Sequence, residues 1–252
     1  MSENVMIRGA GRLEGDRRWL LWFALAYAVS GVFHLGVWAV DGGAWAGDVS
    51  WRKPIVFGLS GAMTTASVAW ALGVVKPGRQ RARGVIVYLV AMTLEIALIT
   101  MQRWRGVGSH FNDATPFDAL VFAAMGALIL TAAAPIVRWA WQVSRDRGLE
   151  PERRVAVAGG LWLLIAGVVV GVGIAQLGTV ARAIESAQLV ATARALVLPH
   201  ALGVHAIQGV MLLERVLPRW VPSAGARVRW LLRAVALGGL AIVAAVFAAV
   251  LT

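Results

Sequence analysis

The sequence predicts an all-α, multi-pass membrane protein, a single bundle of seven transmembrane helices with its N-terminus inside and its C-terminus outside. Three observations carry that expectation. The 252 residues are 59% hydrophobic with a mean hydropathy of +0.73, against about 45–50% apolar for a soluble domain. Seven apolar runs are each about long enough to cross a hydrocarbon core of ~30 Å as helix. Charged breaks such as KPGRQRARG, RDRGLEPERR and RVLPRWVPSAGARVR divide the runs.

The elements follow in order. Residues 1–18, MSENVMIRGAGRLEGDRR, read as a cytoplasmic tail ahead of one transmembrane domain, 19–252. The apolar run behind them is too long for a cleaved leader and ends in no A-x-A-like site. Span one, 19–40, sets Tyr27, Ser30 and His34 on one stripe. Span two, 54–75, opens as SWRKP, with Pro54 at a helix start, where a missing N–H costs little. Span three, 85–103, carries Glu95, with Tyr88 and Gln102 seven residues to either side on the same face. The polar loop QRWRGVGSHFNDATPFD, 102–118, leads through Pro116 into span four, 117–137. Span five, 155–177, contains GVVVG, whose small residues let helices approach closely. In the connection 178–197, Arg182 and Glu185 stand three apart, as on a short surface helix. Span six, 198–216, begins PHALGVHAIQ. Span seven, 230–251, has no Lys for a retinal Schiff base. No internal repeat is evident.

Orientation follows from the basic residues near the helix ends. With the N-terminus inside, the inner segments hold eighteen Lys and Arg and the outer segments six, and cytoplasmic loops carry the excess. The net charge of +11 is thus a topology signal, and nucleic acid is not an expected partner. The abundance of Ala, Gly, Val and Arg fits a GC-rich bacterium, hence the bacterial cytoplasmic (inner) membrane. The chain has no Cys, which excludes disulfides, thiolate ligands and thiol nucleophiles.

Polar groups within spans are costly and mark function, and here they gather toward the outer side. His34 and His205 each stand about six residues from the outer end of their spans, roughly 9 Å deep at 1.5 Å per residue. Matched imidazoles on two helices are what bis-His haem ligation needs. Arg52, Lys53 and Arg105 could then pair with propionates, Tyr27, Ser30 and Gln208 would support the ligands, and Glu95 and Gln102 would line a proton or quinone path. The leading expectation is therefore a membrane redox protein binding haem b, linked to quinone or another membrane protein.

A rival expectation is a membrane-embedded metal hydrolase or lipid-modifying enzyme. His110, Asp118 and His200 would hold zinc or copper near the outer surface, with Glu95 as base. His200 and His205 are five apart, so both do not face one ion on a helix. A third expectation is a transporter or an accessory subunit of a membrane complex. In that case Arg103 and Arg105 pair with Asp113 and Asp118 to fold the loop as a lid, and Trp45, Trp51 and Trp104 are interfacial residues.

Taken together, SWRKPIVFGLS, QRWRGVGSHFNDATPFD and PHALGVHAIQ resemble a group of bacterial seven-span membrane proteins, over about Gly31 to Leu213. The resemblance implies the fold and no particular activity. Membrane hydrolases that hold zinc by three histidines and an aspartate also have seven spans, but their H-x-x-x-H pair is missing here.

Overall fold

The structure, a computed structural model, describes the backbone of residues 3–251 and the side chains of residues 15–251. Among these residues there are eight helices and no strands: α1 (Glu3–Asp41), α2 (Arg52–Ala71), α3 (Arg79–Trp104), α4 (Pro116–Arg145), α5 (Pro151–Ala183), α6 (Ala187–Ala195), α7 (Val197–Trp220) and α8 (Ala224–Leu251). Seven stretches are long and apolar enough to cross a membrane, with α6 and α7 together forming the sixth, Ala187–Trp220. The chain is a multi-pass membrane protein. Of the expected tail, 1–18, residues 3–18 are continuous in backbone with span one inside α1; residues 1–2 and the side chains up to residue 14 lie outside the described residues.

The chain divides into two compact units, residues 1–135 and 136–252. The division falls at Pro135, inside α4, where the ring removes a helix hydrogen bond.

In the first unit α1 packs along α2, and α3 flanks both. The crossing of α1 and α2 is set by glycine: a Cβ on Gly58 would lie 2.8 Å from Cα and N of Gly31. Around it, Tyr27 packs with Ala62 of α2 and Ile96 of α3. Ile99 of α3 packs with Val121 and Met125 of α4. Arg81 closes the α2–α3 turn. It is buried and donates to Asp16 at 3.1 Å and to the carbonyls of Leu72 and Val75 at 3.2 and 2.9 Å. One of the basic residues that the charge rule counts is thus fully engaged in structure.

In the second unit α5 packs along α7, and α8 flanks both. A Cβ on Gly203 would run into the backbone of Gly167, and Gly160 faces Ile207, 2.9 Å from where its Cβ would be. This repeats the construction of the first unit. The first long helix meets the second glycine to glycine, and in each second helix a proline, Pro54 or Pro199, stands four residues before the glycine. The sequence reading saw no repeat, because the shared signal is only P-x-x-x-G plus one facing glycine.

Two helix ends explain where the observed boundaries depart from the expected ones. α3 stops in a Schellman motif: Gly106, at φ 72°, donates to Arg103 O, and Val107 donates to Gln102 O. α5 stops in the same way, with Glu185 donating to Arg182 O and Ser186 to Ala181 O. Here, however, the left-handed position is filled by Glu185 at φ 52°. α5 therefore runs to Ala183 rather than 177, and the short helix begins at Ala187, where the Ser186 hydroxyl accepts from Leu189 N–H.

Candidate functional site

The candidate site lies in the first unit, at the end carrying the α1–α2 and α3–α4 connections. It is built on α3. Tyr88, Glu95 and Gln102 are seven residues apart, about two turns, and all three are buried. Each meets a different fate. Tyr88 shares a hydrogen bond of 2.9 Å with the Thr65 hydroxyl of α2. Gln102 is fully buried, and its Nε2 donates to Asp118 at 3.0 Å. Glu95, only 2% exposed, has a carboxylate oxygen, Oε2, with no hydrogen-bond partner. On α2 the buried Thr64 hydroxyl is likewise without a partner.

Asp118 is the hub above Glu95. Thr115 caps α4: its hydroxyl accepts from Asp118 N–H at 3.1 Å and donates to Asp118 Oδ2 at 2.7 Å. This is the T-x-x-D form of a capping box, followed by Pro116 in the first turn. The other carboxylate oxygen, Oδ1, accepts from Gln102 and from Arg105 Nη1, the latter at 2.7 Å. Arg105 also donates to Gln102 Oε1. Gln102, Arg105, Thr115 and Asp118 thus form a closed latch that ties the last turn of α3 to the first turn of α4. The sequence reading paired Arg105 with Asp118 as one option, and the structure shows that pair. It joins Arg103 to Asp41 instead, at 3.4 Å.

A second network centres on His34. Its Nδ1–H donates to Ser30 O at 2.7 Å, and its Nε2 accepts from Trp104 Nε1–H at 3.2 Å. The ring stacks on Trp51 at 5.9 Å. Trp51 in turn donates to Asp41 at 2.6 Å and carries the Arg103 guanidinium 3.8 Å over its ring. Trp51 and Trp104, read from sequence as interfacial residues, are the immediate partners of His34. Both of its ring nitrogens are therefore engaged, and iron at Nε2 would have to displace the Trp104 bond.

His110 is separate from both networks. It is packed among Phe57, Phe111 and Phe122, with ring centroids 5.7 to 6.2 Å away, and its Nδ1 is 2.9 Å from the Ser109 hydroxyl. Burial among these rings, with the Lys53 charge nearby, lowers its pKa to about 4. Its neighbour Phe111 adopts φ 55°, a left-handed conformation rare for a bulky side chain. Arg52, at the start of α2, has a buried Nε without a hydrogen-bond partner.

The remaining sequence candidates lie in the second unit. His200 Nδ1–H donates to Gly167 O at 2.8 Å, and the ring fills the space beside Gly171. His205 lies one turn from Gln208 on α7. Among the described residues no three His, Asp or Glu side chains are gathered as a metal-holding group. Sequence reasoning missed Trp104, Asp41 and Thr115. Only Thr115 carried a readable signal, the T-x-x-D pattern itself.

No family model, curated protein or solved structure matches the chain.

Proposed function

We propose that the protein is a proton-coupled membrane transporter in which Glu95 takes up and releases the proton. The observation that carries this reading is the Glu95 carboxyl, buried on a membrane-spanning helix with Oε2 unpartnered. A buried carboxylate without a counter-charge is expensive, and such groups within spans mark ion and proton pathways. Protonation removes the cost, so the group is suited to alternate between two states.

Two further features support the reading. The Gln102–Arg105–Thr115–Asp118 latch joins α3, the helix that carries Glu95, to α4, and its opening would free the end of α3. The repeated glycine crossing, in a chain order of three spans, one joining span and three spans, is the kind of internal repetition common among secondary transporters. The charge rule supports an N-in orientation in a bacterial cytoplasmic membrane, with the latch on the outer side.

Purified protein reconstituted into liposomes with an entrapped pH dye tests the proposal. Addition of solutes from a panel of ions, amino acids and sugars is expected to drive proton movement with at least one class, and Glu95→Gln to abolish it. Movement that is equal in Glu95→Gln, or absent with every class, sinks the assignment. The haem expectation rests on the matched depth of His34 and His205, and an absorption spectrum of the purified protein tests it.

A further inference from the structure

On the first unit, α1 and α3 enclose an apolar groove of about 540 Å³, lined by Trp19 and Phe23 of α1 and by Val85, Ile86, Leu89 and Val90 of α3. That volume is in the range of ligand pockets, roughly 300–1,000 Å³. The groove extends along α3 from Ala82 to Leu94, about 18 Å at 1.5 Å per residue. One leaflet of a hydrocarbon core of ~30 Å is about 15 Å deep, so the groove has the length of a lipid acyl chain running from the headgroup level to mid-membrane.

Its mouth is basic. Arg79 and Arg83 occupy the same stripe of α3 as Ala82, Ile86 and Val90, at three- and four-residue spacing. Both are exposed, and neither has a hydrogen bond or ion pair among the described residues. Asp16, the acid among the described lining residues, is paired with Arg81 at 3.1 Å, so its charge does not oppose an anion there. Trp19, 62% exposed, stands at the same end, where an indole favours the membrane interface.

We propose that this groove binds one anionic phospholipid, with an acyl chain along α3 between Trp19 and Phe23 and the phosphate on Arg79 and Arg83. Bulk lipid covers any apolar surface; a concave groove of this length and two guanidiniums unpaired among the described residues favour one lipid over that background. Anionic lipids enrich the leaflet that a basic segment faces. The site is distant in sequence from the latch, and its occupancy does not depend on the transport reading.

Native mass spectrometry of the full-length protein, titrated with phosphatidylglycerol and phosphatidylcholine of equal chain length, tests this. One phosphatidylglycerol is expected to bind at least tenfold more tightly than phosphatidylcholine. The double variant Arg79→Gln/Arg83→Gln should abolish that preference while its thermal unfolding in phosphatidylcholine stays as in wild type. Ile86→Trp, which fills the groove, should lower retention of both lipids. Equal binding of the two lipids by wild type, or a preference that survives the double variant or the filled groove, overturns the proposal.

Discussion

The two units share a scaffold and differ in what it carries. Each builds its first helix pair on a glycine-to-glycine crossing, Gly31 on Gly58 and Gly167 on Gly203. Yet of eleven buried polar or charged side chains among the described residues, ten lie in the first unit and one, Thr192, in the second. The second unit has instead filled its interior with apolar side chains, Trp139, Leu161, Leu164 and Ile207 among them. Even its histidine nearest the crossing, His200, is used to satisfy the carbonyl of Gly167. Helix association in a membrane needs only close packing, so one unit can be framework while the other takes the buried carboxyl and its latch.

The comparison is broken most readily at the crossings. Gly203→Ala and Gly58→Ala each push a methyl into a facing backbone, and each is expected to cost about 1–3 kcal/mol or more. Gly209→Ala, with nothing within 4 Å of its Cβ, should be neutral. Thermal unfolding in detergent measures all three; a tolerated Gly203→Ala alongside a damaging Gly58→Ala would end the claim of a shared scaffold.

Next in size is one ion pair from each unit. Asp118→Asn removes the charge that holds Arg105 at a buried hub and should cost about 1–2 kcal/mol. In the second unit, Glu214→Gln loses a half-exposed pair with Arg153 at 3.1 Å and should cost at most about 1 kcal/mol. The same unfolding measurements rank them, and the reverse order would mean that the latch is not the tighter structure.

A pH-dependent effect is expected from acid. Unfolded His110 titrates near its ordinary value of about 6.5, and the folded residue near 4. Between these values the unfolded chain holds more protons, so stability falls as pH drops from about 6.5 toward 4 and is untouched by this group above 6.5. His110→Gln should remove that part of the slope in a melting-temperature profile; an unchanged slope would place the acid sensitivity elsewhere. The smallest effect is none at all. With Nε2 of His34 held by Trp104, protein expressed with added haem is expected to show no Soret band, and a stoichiometric band would favour the haem reading over the transport one.

The number of spans was legible because hydrophobic length is a one-dimensional signal. Glu95 and Gln102 were legible because a seven-residue spacing survives as one helix face. The His34 environment was not, since Trp104 lies 70 residues away and an indole at a membrane boundary has a simpler explanation. The end of α5 was misplaced because Glu185, not glycine, takes the left-handed turn. The twofold construction escaped because a crossing needs only two glycines, and this chain has 28.

Pro135 also bears on how the protein is made. The first unit is complete once translation has passed residue 135, and its glycine crossing, latch and tryptophan cluster use only residues already synthesised. The nascent chain can thus store a finished, membrane-inserted half while the ribosome supplies the rest.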